Sequence, residues 1–227
     1  MDFEIDPLIQ QIARNEKKET FGLIICALFH QPKPIQFGNF YQQLIEQLQA
    51  NFDDDEKQSV YLYPIAPLHI TIATLHSFKH EVPQDPDACL KHWNECFTKL
   101  KQSAKPKPII LTLDSIKLSK AAGYFLFHDT NNSMKHIRQS IRDTCIPDDG
   151  QPPLHIPNIV HTTFIRFIKQ PNDPKKLEEK FHRVCKELLK EQNEIRFDID
   201  EICLAFEAHP YMHIDCDEFH IFDTIKY

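Results

Sequence analysis

The sequence predicts an α+β fold assembled from a repeated unit. Three observations carry that reading. Apolar residues at helical spacing alternate along the chain with short apolar runs rich in β-branched and aromatic residues. An extended His-x-Thr segment follows a helical stretch twice, at His69 and at His161, 92 positions apart, far too long a period for a solenoid. The 227 residues, 41% of them apolar, suffice for one large domain or two small lobes with a good core.

The elements follow in chain order. Asp6 and Pro7 are suited to the N-cap and first position of a short helix over 7–15. Phe21 to Phe29 reads as a buried strand. Phe40 to Phe52 is helical, with Tyr41, Leu44, Ile45 and Leu48 on one face, and the acidic run 53–56 reads as a solvated turn. Val60 to Leu75 is extended; Pro64 and Pro67 confine its first half to an edge or entry segment. A helix over 85–103 precedes strands over 108–118 and 123–128, then a helix over 132–144. A Pro-rich loop (147–157) leads to a strand over 159–168 and a helix over 173–191 started near Pro174. Strands over 197–206 and 219–225 close the chain.

Charge and composition narrow the function. A formal net charge of −7 argues against wrapping long nucleic acid, although it leaves room for a local basic pocket around one phosphate. No GxxxxGK phosphate loop occurs, and there are only four glycines. Seven cysteines without a CxxC read as reduced core residues of an intracellular protein. The start Met-Asp-Phe-Glu-Ile-Asp does not look like a signal peptide, and the longest apolar stretch is too short for a bilayer. A cytoplasmic or nuclear, non-membrane protein is expected.

The chemistry lies in Leu68-His69-Ile70-Thr71-Ile72 and Val160-His161-Thr162-Thr163-Phe164. Strand side chains alternate between faces, so His69 shares a face with Thr71, and His161 with Thr163. Each pair spans about 6.6 Å along its strand, close enough to converge on one phosphate. Imidazole titrates near pH 6.5, so one ring can act as base and the other as acid, while the hydroxyls donate to oxygens where charge builds up. With 13 histidines, about one His-x-Ser/Thr match arises by chance, so a single copy says little. Two copies in matching apolar strands say more.

Other features read as structural. A third match, His128-Asp129-Thr130, sits at a strand end before a turn signal and reads as a decoy. His76 with His80, and His209 with His213 and Asp215, have a spacing that binds zinc on helices. Pro210 disfavours a helix there and His76 follows a strand, so these read as surface or loop histidines. Tyr124 and Phe125 alternate on a strand, so one enters the core and the other could face the cleft, with core packing the favoured use of each. Lys117 and Lys120 read as a solvated turn, and the polar tract 207–220 could rim a cleft.

The paired motifs, His69-Ile70-Thr71-Ile72 and His161-Thr162-Thr163-Phe164, resemble those of the two-histidine (2H) phosphoesterases, which include RNA 2′,3′-cyclic phosphodiesterases once called 2′-5′ RNA ligases. The lead-in Pro64-Ile65-Ala66-Pro67-Leu68 is similar to that family's approach to its first histidine. Arg166 stands where many members carry an arginine. The resemblance implies one bilobal pseudo-symmetric domain over 1–227, with two antiparallel sheets around a V-shaped cleft and helices outside. It implies His69 and His161 as the catalytic pair, with Thr71, Thr163, Tyr63, Tyr124 and Arg166 as substrate-binding candidates. Leu62 stands where an aromatic is frequent, with Tyr63 beside it. By simple alternation Arg166 falls opposite His161, leaving it open as structural partner or ligand.

The implied activity is metal-independent hydrolysis of 2′,3′-cyclic or 2′-5′ phosphodiester bonds, with no cofactor. The expected partner is a small nucleotide or RNA 3′ end, not DNA or membrane, and a monomer is expected. Alternatives are a 3′-end RNA exonuclease using the same residues, a non-catalytic RNA-end or nucleotide-binding module, and a metal hydrolase built on the many histidines.

Overall fold

Asp6 opens the first helix, α1 (Pro7–Ala13), by accepting hydrogen bonds from the Leu8 and Ile9 amides, with Pro7 in the first turn. The structure, a computed structural model, describes residues 2–16, 19–28, 35–103, 108–191, 194–212 and 220–226. After α1 come β1 (Leu23–Leu28), α2 (Ile35–Asn51), α3 (Asp54–Ser59), β2 (Val60–Leu62), β3 (His69–His76) and α4 (Pro86–Ser103). Then follow β4 (Ile109–Leu118), β5 (Ala122–Asp129), α5 (Ser133–Thr144), β6 (Val160–Phe167), α6 (Pro174–Glu191), β7 (Arg196–Ile199), β8 (Glu201–Phe206) and β9 (His220–Lys226).

The α+β class is the one found, with two sheets whose strand pairs are all antiparallel. One sheet runs β3-β1-β8-β9 and the other β2-β6-β5-β4-β7. The first His-x-Thr motif therefore lies on an edge strand of the smaller sheet. The second lies one strand in from the edge of the larger. Helix α2 buries Phe37 against Phe125 (ring centroids 5.2 Å) and Tyr41 against Phe164 (6.1 Å), and Phe181 of α6 stacks on Phe164. Such ring pairs contribute roughly 0.5–1.5 kcal/mol each beyond the area they bury. Helix α4 packs with α5 and along β9, and α5 also meets β3. The main cluster of buried apolar side chains draws on both sheets, so the two halves share a core.

Several sequence expectations need correcting. The stretch 60–75 is two strands in different sheets, because the prolines between them cannot continue a ladder. The stretch 197–206 likewise divides at Asp200 into β7 of the larger sheet and β8 of the smaller. Helix α2 begins at Ile35. The acidic run is no solvated turn: Asp53 caps α3 in a capping box with Glu56, whose side chain is buried and paired with Lys180 of α6. His76 is a buried residue of β3, its Nε2 3.2 Å from the Glu81 carbonyl. The six described cysteines are all free and buried; Cys216, His213 and Asp215 lie outside the described residues. No described helix is long and apolar enough to cross a membrane.

Candidate active site

The two motif strands meet where the sheets adjoin. Thr162, on the face of β6 opposite His161, donates a hydrogen bond to the His69 carbonyl of β3 (3.0 Å) and is only 1% exposed. This bond ties the backbone of one motif to that of the other. Thr162→Val keeps the shape and leaves the carbonyl one partner short. It is expected to lower the unfolding free energy by about 1–2 kcal/mol in urea titration, with Thr162→Ser costing less.

A cavity of about 440 Å³ opens beside this junction, lined by His69 and Thr71 of β3 and by His161 and Thr163 of β6. All four predicted side chains thus reach one space. Tyr63 and Arg166 line it too. Tyr124 does not; its ring stands edge-on to the His161 ring, 5.8 Å between centroids, from the neighbouring strand β5. The decoy His128 is exposed at the far end of β5.

Arg166 faces the cleft because β6 slips phase. Register across β5 shifts between Gly123 and Tyr124, and Phe164 and Ile165 are both buried in succession. This β-bulge puts the residue five after the histidine back on the histidine's face. Gly123 accommodates it: a Cβ there would lie 3.2 Å from Ile165 Cβ. Strand β3 does the same, with Ile72 and Ala73 buried in succession and a register shift against β1, so Thr74 joins the cleft. The two halves therefore repeat as His69-Thr71-Thr74 and His161-Thr163-Arg166. Simple alternation fails at the fifth position in both.

A backbone carbonyl two residues earlier acts on each imidazole, but only His69 is held by a well-formed bond. His69 Nδ1–H donates to the Pro67 carbonyl, 2.9 Å away, which leaves Nε2 as the nitrogen available to exchange a proton. His161 Nδ1 is buried without a well-formed hydrogen bond, while the Ile159 carbonyl, also two residues back, favours its protonated ring. That carbonyl is itself held by Arg138 Nη2 at 2.9 Å. Burial is the chief cause lowering the pKa of His69; the Pro67 carbonyl opposes it and nearby His161 adds to it. Burial also lowers His161, against the Ile159 carbonyl and with Arg138 and Arg166. Protonating one ring therefore discourages the other, the arrangement an acid–base pair needs.

Burial likewise lowers His76. All three rings fall below 6.5 when folded, so the unfolded chain binds more protons just under that pH. Stability is expected to be insensitive to these groups above pH 7 and to fall as pH drops below about 6.5. Urea midpoints from pH 5 to 8 read this directly, and substitution of His69 by Gln should flatten the slope.

Sequence reasoning does not reach several lining residues. His155 comes from the Pro-rich loop, whose backbone exchanges two hydrogen bonds with Thr74 (2.7 and 3.1 Å). Lys79 and Phe78 follow β3, and Glu207 and Tyr211 follow β8, in the tract expected to rim the cleft. Arg166 stacks on Tyr211, guanidinium carbon to ring centroid 4.1 Å, and its Nη1 lies 3.6 Å from Asp6. Burial pushes the Tyr63 phenol up, and Arg166 beside it pulls the other way. Among the described residues no three His, Cys, Asp or Glu side chains group as metal ligands.

Two antiparallel sheets that adjoin at the paired His-x-Thr strands form a fold that several solved structures share. The solved structures that share this fold include TT0787 of Thermus thermophilus, with 10% identity, 90% of this chain and 97% of that one covered, and a TM-score of 0.52. E. coli LigT complexed with NADP+ matches at 13% identity over 91% and 97%, TM-score 0.51. Kluyveromyces marxianus Usb1 matches at 10% over 92% and 99%, TM-score 0.54, and a further structure of it holds uridine monophosphate. At such identities the likeness is one of fold. Neither a protein-family model nor a curated protein sequence matches the chain.

Proposed function

We propose that this protein is a metal-independent phosphodiesterase that hydrolyses 2′,3′-cyclic phosphate or 2′-5′ phosphodiester bonds of RNA ends or small nucleotides. The observation that carries the proposal is the convergence of His69, Thr71, His161 and Thr163 on one cavity. The nucleotides named in two of the fold relatives agree with a nucleotide ligand here. One imidazole takes a proton from water as its oxygen attacks phosphorus. The other gives a proton to the departing ribose oxygen, and the P–O bond to that oxygen breaks. Thr71 and Thr163 donate to the nonbridging oxygens, and Arg166 adds a fixed positive charge. Two imidazoles supply both the proton traffic and the positive charge. The products are a phosphomonoester and a free hydroxyl.

Hydrolysis of the four nucleoside 2′,3′-cyclic monophosphates, followed by chromatography with and without EDTA, tests this. Turnover unaffected by chelation is expected. Activity that collapses in EDTA and returns with zinc would replace the proposal with a metal hydrolase. Stoichiometric nucleotide binding without turnover would make the cleft a binding module.

A further inference from the structure

We propose that the cleft takes a substrate carrying a second phosphate, one nucleoside removed from the scissile one, and that Lys79 receives it. This rests on the phosphodiesterase reading and names the substrate class within it. Lys79 lines the same cavity as the two histidines. A hydrogen-bonded turn directly after β3 sets its position: the His80 amide donates to the Ser77 carbonyl (2.9 Å) and the Lys79 amide to Ser77 Oγ (3.2 Å).

Its ammonium lies 5.7 Å from the centroid of the Tyr211 ring and 5.9 Å from that of Phe78, and no carboxylate of the described residues lies within ion-pair distance. Arg166 approaches the same Tyr211 ring but already faces Asp6. Among the described residues, Lys79 is thus the lining cation whose charge only aromatic rings answer.

Tyr211 stands within reach of both cations. Its φ of 61° is a backbone state that residues with side chains seldom adopt, and its hydroxyl donates to Asp6. Phe78 meets it edge-on at 4.9 Å. Two cations gathered about one aromatic ring suit phosphates a single nucleoside apart, with the ring to carry the base or ribose between them. Among the described residues the cleft lining carries two cations, Lys79 and Arg166, and one carboxylate, Glu207, while Asp6 answers Arg166. A lining ammonium with no carboxylate partner among the described residues is open to an anionic group of the substrate. A nucleoside cyclic phosphate with no other phosphate would occupy the His–Thr pairs and leave Lys79 unmatched.

Three substrates decide the matter: a nucleoside 2′,3′-cyclic phosphate with a free 5′-hydroxyl, its 5′-phosphorylated form, and a dinucleotide ending in the cyclic phosphate. Wild type should show kcat/KM roughly five- to tenfold higher for substrates with a second phosphate, the size expected of one partly exposed ammonium–phosphate pair. Lys79→Met should bring that ratio to about one. Preference for the dinucleotide alone assigns an internucleotide phosphate; preference for both assigns any second phosphate. Equal rates in wild type, or a ratio that survives Lys79→Met, overturn the proposal.

Isothermal titration with a nucleoside 3′,5′-bisphosphate and the matching 3′-monophosphate reads Lys79 without turnover. Wild type should favour the bisphosphate by a similar factor and Lys79→Met should erase the difference. Failure to hydrolyse any of the three substrates would sink the phosphodiesterase reading alone. Loss of the bisphosphate preference in wild-type titrations would sink the role of Lys79.

Discussion

Alanine at either His69 or His161 should lower kcat for 2′,3′-cyclic phosphate hydrolysis by about 10³-fold or more, with KM little changed. General acid–base catalysis contributes on the order of 10²–10⁴ in rate. Here each ring has a separate proton to move, and each faces the same cavity. The double variant should lose scarcely more than either single one, because a half-equipped pair cannot complete the transfer. Their structural roles are light. The Thr162 bond uses the His69 backbone carbonyl, which alanine retains. Unfolding midpoints near wild type would confirm that the loss is chemical. Variants retaining more than a tenth of wild-type kcat would remove these rings from the reaction.

Alanine at Thr71 or Thr163 should cost about 10²-fold in kcat, more than in KM. Removing one hydrogen-bond donor from a developing oxyanion typically costs roughly 10²–10³. The cavity offers one hydroxyl per half-site beside its imidazole, two residues along the same strand face. Serine should restore most of the rate at each position and valine should not, since valine keeps the branched shape without the donor. A loss confined to KM would mean that the hydroxyls hold the ground state and not the transition state.

The histidines and threonines are legible because strand alternation is a strong local signal over three residues. His69-Ile70-Thr71 and His161-Thr162-Thr163 obey it without exception, as their burial patterns show. Strand alternation does not bring Arg166 or Thr74 to the cleft, because each lies beyond a bulge, where period-two counting inverts; only the family resemblance offers Arg166. A trace exists: two apolar residues in succession, Phe164-Ile165 and Ile72-Ala73, follow the threonine in both copies. Two like-buried neighbours mark a phase slip when the residue after them is polar.

Other parts of the site carry no periodic signal. Tyr211, Lys79 and His155 sit in turns and loops, and only tertiary contacts bring them to the cleft. The elements themselves are mostly readable, but not which sheet they join. The stretch from Phe197 to Phe206 keeps its apolar character while the chain passes from one sheet to the other at Asp200. The acidic run at Asp53 misleads because charge suggests solvent. Glu56 is buried there only because Lys180, far along the chain, comes to meet it.

Everything depends on two imidazoles sharing one anion. Histidine-selective NMR during titration with a nucleoside 2′-monophosphate observes this without relying on turnover. Bound phosphate should raise the pKa values of His69 and His161 together, at one stoichiometric equivalent, because one dianion would stabilise both rings. A ligand that shifts a single ring, or shifts the two at different equivalents, would show that the histidines do not serve a common site.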